Sequence, residues 1–442
     1  MSAPERSILQ LNAFDARGAS VADDSLLGRR LANAGATSVL FYADPIEMVG
    51  ARGTWMHAAD GTRYLDFYNN VPSVGHCHPK VVEAVSTQLA VLNINTRYLN
   101  GRTERYLESL KARLPAELSN VALSCSGSEA NDLAMRVAMK VTGHRGFVVT
   151  EHAYHGNTAI VTEISPSARL GGELPDHVVS VPAPGRAAYG DDVPGGFRHA
   201  VGTALDRLLE RGHGVAAFVC DSIFSSDGVF ACPSGFLAGA VNAVRARGGL
   251  WIADEVQPGF ARTGSGFWGF EHHGIVPDMI TMGKPMGNGY PMAGVAARAD
   301  DLAAFCADVG YFNTFAGSPV AAAAGQAVLD VIDEEGLEEN ARTVGAHLLE
   351  RLRALAGADE RIAEVRGEGL FLGVELCREG DPSRPDAALA SATIEGLRRR
   401  HVLIGATGRF GNMLKVRPPL CLTIEEADFF VDALGAELSR SR

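Results

Sequence analysis

The stretch Gly248–Tyr290 reads GGLWIADEVQPGFARTGSGFWGFEHHGIVPDMITMGKPMGNGY. Two short apolar runs inside it, Leu250–Ala253 and Met279–Met282, have the length and continuity of strands buried on both faces of a parallel sheet. Asp254 follows the first run directly and Lys284 follows the second after one glycine. The carboxyl ends of such strands are where open α/β sheets gather ligands. A carboxylate and an amine delivered to that edge suit pyridoxal phosphate, whose aldehyde takes a lysine amine and whose ring nitrogen keeps its proton beside an acid. From these two residues alone, an ion pair closing two strands reads equally well.

The surrounding residues carry more. Asp254-Glu-Val-Gln257, Gly259-Phe-Ala-Arg-Thr-Gly264, and Gly283-Lys-Pro285 with Gly287 and Gly289 behind it together resemble the class III aminotransferases, fold-type I pyridoxal phosphate enzymes. The resembling motifs extend from Leu40 to Arg417. The resemblance implies an α/β fold, with a mostly parallel seven-stranded sheet between helices in a large domain and a smaller α+β domain built from the two chain ends. The expected boundaries are 1–65 for an N-terminal arm and part of the small domain, 66–325 for the large cofactor-binding domain, and 326–442 for the C-terminal small domain. By the same resemblance Asp254 holds the pyridine nitrogen, Val256 packs on a ring face, Gln257 meets the ring hydroxyl and Lys284 binds the aldehyde.

Composition agrees with a globular enzyme. The 442 residues amount to roughly three domains' worth of chain, and 46% hydrophobic with 21% charged residues is ordinary for a soluble protein. A net charge of −12 argues against nucleic-acid or anionic-membrane partners, so an anionic ligand requires a local basic pocket. Seven scattered cysteines without a CxxC pair fit reduced thiols, and the charged N-terminus does not read as a signal peptide. The expectation is a cytoplasmic protein.

Along the chain, residues 1–38 read as a polar arm or helix. Residues 46–66 alternate around Asp60-Gly61 as a hairpin. His76, Cys77 and His78 invite a metal reading, but successive residues rarely converge on one ion and Pro79 opens a helix, so no metal site is expected. Arg97, in a polar turn-like stretch, is a candidate anion binder or a plain surface arginine. Ser124–Asn131, between an apolar strand and a helical run, could cradle a phosphate on the helix N-terminus or simply cap it. The resemblance gives Gly127 and Ser128 the phosphate role and sets Tyr154 against the ring, with His155 behind. Residues 165–200 read as a long irregular excursion. Gly264-Ser-Gly-Phe-Trp-Gly269 matches a dinucleotide glycine pattern but lacks the strand and helix such a site needs. His272 and His273 lack metal-ligand spacing and read as surface residues.

The resemblance also predicts a homodimer with shared sites, in which Thr314 reaches the cofactor phosphate of the other subunit; Ser318 stands where the family has asparagine. Arg417, in Lys415-Val-Arg-Pro-Pro419, occupies the place of the substrate-binding arginine, and its fork suits carboxylate or phosphate. Arg97 is the second candidate for that charge, while Lys415 and Arg409 read as facing solvent. Tyr68–Pro79, Asn95–Leu99, Ala153–Gly156 and Ser222 are similar to the branch that contains ethanolamine-phosphate phospho-lyases. Ordinary members carry Glu-Pro and that branch Glu-Ser where this chain has Asp221-Ser222. The expected reaction is therefore β-elimination of phosphate from a small phosphorylated amine such as phosphoethanolamine. Amino-group transfer between an amine or amino acid and a keto acid is the alternative. A cofactor-free metal hydrolase or binding protein using His76, His78, His272 and His273 is the reading from another class.

Overall fold

The computed structural model describes residues 7–16, 21–169 and 171–440. Its centre is a seven-stranded sheet in the order Asn120–Ser124, Ala293–Ala297, Met279–Met282, Leu250–Asp254, Ala217–Cys220, Phe147–Thr150, Val178–Val181. The last five run parallel, and Ala293–Ala297 is antiparallel to both neighbours. Helices cover the sheet, among them Gly127–Thr142 and Val193–Glu210, so the central strands read as mainly apolar runs rather than alternating ones.

This topology aims the carboxyl ends of Asn120–Ser124, Phe147–Thr150, Ala217–Cys220, Leu250–Asp254 and Met279–Met282 at one edge. Asp254 and Thr281 lie opposite each other in the ladder, as do Cys220 and Ala253. The residues at or just beyond these strand ends are thereby fixed in space together: Gly127, Tyr154, Asp221, Asp254 and Lys284.

The two chain ends share a smaller assembly. Met48–Arg52, Trp55–Ala58 and Arg63–Asp66 form an antiparallel meander, and Val402–Leu403 adds parallel to Arg63–Asp66. A second antiparallel sheet contains Ile362–Glu368, Phe371–Arg378, Met413–Val416 and Gly405–Thr407. Phe67 stacks on Phe430 with centroids 4.2 Å apart, and Trp55 Nε1 donates to Glu426 Oε1 at 2.7 Å. Arg417 N donates to the Phe67 carbonyl at 3.0 Å, so the junction of the two ends also sets the backbone of a site residue.

Two expectations from sequence need correction. The hairpin over 46–66 is a three-stranded meander, because Gly53, at φ +58, turns the chain once more before Asp60-Gly61 does. The excursion over 165–200 contains the sheet's edge strand Val178–Val181 and the start of Val193–Glu210, which Asp192 caps with Pro194 in its first turn. Three valines and a serine among glycines and prolines carry little periodicity, and pairing with Phe147–Thr150 makes them a strand. The positions of the expected arm at 1–6 and 17–20 lie outside the described residues; Leu26–Ala34 is a helix capped by Ser25. Among the described residues no helix is long and apolar enough to cross a membrane.

The shared core of the chain ends is testable. Phe430 is fully buried, so Phe430→Ala should cost about 3–5 kcal/mol in urea unfolding. A loss no greater than that of exposed Glu350→Ala would contradict the packing.

Candidate active site

A cavity of about 370 Å³ opens at the strand edge and is lined by Gly127, Ser128, Tyr154, Asp221, Asp254, Val256, Gln257 and Lys284, among others. Seven of the residues expected from sequence are therefore brought together. Thr314, Arg97 and Arg417 are not among its lining residues, although Arg417 bonds to Gln257, which is. Thr314 is exposed in the turn after Tyr311, and exposed Arg97 lies over the Phe312 ring at 4.2 Å.

Asp254 is buried and held by donors. Its Oδ2 accepts from Asn131 Nδ2 at 3.0 Å and lies 2.7 Å from His155 Nδ1, and its Oδ1 accepts from the Val256 N–H at 3.1 Å. A carboxylate oxygen opposite Nδ1 assigns the imidazole proton to that nitrogen and leaves Nε2, buried without a hydrogen-bond partner, as the acceptor side. Asn131 is itself fixed, donating to the His155 carbonyl at 2.8 Å and accepting from Thr281 Oγ1 at 2.8 Å. Sequence reasoning gave Asn131 and Thr281 no role. The signal was present: Thr281 is the one polar residue in Met279-Ile-Thr-Met282.

Lys284 follows its strand with φ +35, a left-handed conformation that costs a non-glycine residue on the order of 1–3 kcal/mol and persists only where the surroundings enforce it. Burial pushes its amine down to about 8, against the opposing pull of Asp254; Arg417 adds to the depression. Near neutral pH an appreciable fraction of the amine is thus unprotonated and nucleophilic.

Helix Gly127–Thr142 begins beneath the cavity with a capping box between Ser126 and Glu129. First-turn N–H groups have no intrahelical partner and favour an anion. Two glycines allow the close approach: a Cβ on Gly127 would lie 3.1 Å from both Val256 methyls, and one on Gly156, at φ +142, would lie 2.5 Å from Ser128 Oγ. Ser128 Oγ also accepts from the Asn157 N–H at 3.1 Å.

The C-terminal sheet and its continuation reach the lining residue Gln257 from behind. Arg417, 9% exposed, donates through Nη1 to Gln257 Oε1 at 2.7 Å, and its guanidinium sits 4.6 Å from the Tyr68 ring centroid. Among the described residues no carboxylate lies within salt-bridge distance of it. Lys415, expected from sequence to face solvent, is 3% exposed with Nζ 5.4 Å from the Phe371 centroid. Burial, with Arg417 nearby, holds its amine well below the usual lysine range. Arg262, in the Gly259–Gly264 motif, donates to the carbonyls of Leu370 and Pro418, fixing the chain beside Arg417.

Asp221 turns its oxygens back on its own loop, accepting from the Ile223 N–H at 3.0 Å and from Ser225 Oγ at 2.8 Å. Ser222 donates to Glu255, which also accepts from the N–H groups of Gly269 at 2.7 Å and Phe270 at 2.9 Å; burial pushes Glu255 up to about 7. The glycine pattern ending at Gly269 thus anchors a buried carboxylate. His273 is buried rather than on the surface, bonded to the Ser222 carbonyl at 2.9 Å and pushed by burial down to about 4. His76 and His78 pair separately, with Asp66 at 2.7 Å and Glu335 at 2.9 Å.

The sequence profile of the aminotransferase class-III family matches residues 42–438. The chain belongs to that family. It is 40% identical to the alanine–glyoxylate aminotransferase 2-like protein of Drosophila melanogaster, over 89% of this chain and 82% of that one. Identity to ethanolamine-phosphate phospho-lyase homolog 1 of Caenorhabditis elegans is 38%, covering 90% of each. A phospholyase from Arthrobacter, solved in complex with phosphoethanolamine, superposes with a TM-score of 0.90 at 42% identity, covering 94% of this chain and 99% of that one. Class III aminotransferases depend on pyridoxal phosphate, and so does this member.

The residues present fit that cofactor. Lys284 would take the aldehyde, Asp254 the ring nitrogen, the Gly127–Ser128 turn the phosphate, and Val256 and Tyr154 the ring. Lys284→Ala should abolish turnover while the protein still takes up pyridoxal phosphate noncovalently; clean residual turnover would remove Lys284 from its role. For the wild-type apoprotein, the rate of cofactor uptake followed by absorbance should rise with pH through about 8, where the Lys284 amine loses its proton. A midpoint near 10.5, the ordinary lysine value, would show the amine is not depressed by burial.

Proposed function

We propose that this protein is a phospho-lyase that eliminates phosphate from O-phosphoethanolamine or a related phosphorylated amino alcohol, giving aldehyde, ammonia and phosphate. The observation that carries the reading is the pair Lys415 and Arg417, two positions apart along one extended segment and therefore on one face. Both are withdrawn from water in a chain of net charge −12, and Arg417 has no carboxylate partner among the described residues. Burying such charge is costly unless a ligand compensates it, and an incoming phosphate dianion would restore the Lys415 charge that burial suppresses. Similarity to the Arthrobacter phospholyase supports the choice.

Pyridoxal phosphate, when bound, withdraws electrons from the carbon that carries the substrate amine. Around it, the chain's own groups divide the work. Asp254, braced by Asn131 and His155, holds a proton at the ring nitrogen's place. The Lys284 amine, kept partly unprotonated by burial, takes the substrate's carbon-bound proton. Arg417 and Lys415 hold the phosphate that departs with the C–O electron pair.

Amino-group transfer is the second reading, favoured by the name of the Drosophila relative and by the equal fit of a guanidinium to a carboxylate. Incubation with phosphoethanolamine and no keto acid decides between them. The proposal expects stoichiometric phosphate release, and Arg417→Ala should lower kcat/KM by about 10–100-fold. No phosphate release, together with brisk turnover of an amine and a keto acid, would establish the transferase.

We also propose a homodimer. Tyr98, Leu99, Phe312 and Phe315 are exposed apolar side chains, on two segments joined by Arg97 over Phe312 and by Thr103 donating to the Gly317 carbonyl at 3.1 Å. A contiguous apolar patch of this kind calls for cover, and the turn bearing Thr314 lies within it. A fully active monomer in light scattering would contradict this. The seven free thiols suit a reducing compartment, and we place the protein in the cytoplasm.

A further inference from the structure

The hydrogen bonds behind Arg417 run in one direction. A guanidinium can only donate, so the bond from Arg417 Nη1 fixes Gln257 with Oε1 toward the arginine. The amide must then present Nε2 on its other side, where it donates to Ser225 Oγ at 2.7 Å. Having accepted that bond, Ser225 Oγ turns its own hydrogen to Asp221 Oδ2 at 2.8 Å. The chain is anchored at one end by a group with no acceptor and at the other by a carboxylate, which has no donor. Asp221 cannot swing away, because the N–H groups of Ile223 and Ser225 hold its oxygens at 2.9–3.0 Å. Ser225 is fully buried, so water does not compete for the link.

We propose that Asp221 is a positioning residue for Arg417, acting through Ser225 and Gln257 to hold the guanidinium in the orientation that receives the substrate's anionic group. The proposal rests on the reading of Arg417 as the anion site. It gives the Asp221-Ser222 departure a function. The carboxylate at this position supports the arginine at a distance of two side chains and leaves the guanidinium's outer face to the ligand. A side chain that paired with Arg417 directly would occupy that face. Gln257 keeps a second amide hydrogen, so the same residue can serve the cofactor edge.

The sign of one substitution separates this from plain electrostatics. Removing a carboxylate beside a cationic pocket should tighten anion binding if Asp221 acts through space. The relay requires the opposite.

The test is calorimetric titration of inorganic phosphate into the holoenzyme, which is independent of the reaction catalysed. Arg417→Gln should weaken phosphate by about 10–100-fold, and Asp221→Ala and Ser225→Ala each by about 3–10-fold. In the Arg417→Gln background both smaller effects should vanish, because they act only through the arginine. With phosphoethanolamine, Ser225→Ala should raise KM and leave kcat within about two-fold, with the bound cofactor's absorption spectrum unchanged. Tighter or unaltered phosphate binding in Asp221→Ala, or losses that add fully to that of Arg417→Gln, would overturn the relay while the anion site stands. Phosphate affinity indifferent to Arg417→Gln would overturn the anion site, and the relay with it. If Asp221→Ala fails to fold, Ser225→Ala, which deletes one oxygen and no charge, decides alone.

Discussion

Asp254, buried, and Lys284, half-buried, stand at the edge of one sheet without closing on each other. An ion pair there would satisfy both groups and leave nothing for a ligand. Instead Asp254 takes its hydrogen bonds from Asn131, Val256 and His155, and Lys284 carries its desolvation as a depressed basicity and a left-handed backbone. Keeping two such groups apart in a medium that strengthens their attraction demands rigid surroundings. The sheet supplies them: Asp254 ends one strand, Thr281 lies opposite in the next, and Asn131 on the covering helix joins the two.

The same economy governs the two buried cations of the C-terminal sheet. Arg417 and Lys415 belong to the C-terminal sheet and its continuation, yet their positions depend on contacts from far along the chain: the Phe67 carbonyl, Gln257, Tyr68, and the reach of Arg262 to the Pro418 carbonyl. The cavity's strand edge and the Lys415–Arg417 segment are built on different sheets and meet at Gln257. One amide thus links the two halves of the site, and its two ends are not interchangeable. The relay through Ser225 to Asp221 is the geometric consequence of that polarity.

Neutralisation of the buried acids obeys a shared logic. Glu255 and Asp227 are both pushed up to about 7 by burial, and each is satisfied by hydroxyl and backbone N–H donors rather than by a cation. Neither acid is paired with Arg417 or Lys415.

The sequence alone determined the family, the cofactor and the elements that carry the site, because those are written in short contiguous runs. Strand ends place Asp254 and Lys284, a glycine-rich helix start places Gly127 and Ser128, and an apolar run marks each central strand. What it could not express was anything that depends on two distant segments meeting. Lys415 looks like any lysine after an apolar pair until the second sheet encloses it, and His273 looks like a surface residue until Ser222 receives it. Val178–Val181 becomes a strand only by pairing with Phe147–Thr150. The direction of the Gln257 amide, and with it the link from Asp221 to Arg417, exists only in the tertiary structure, because hydrogen-bond polarity is set by partners 32 and 160 residues away.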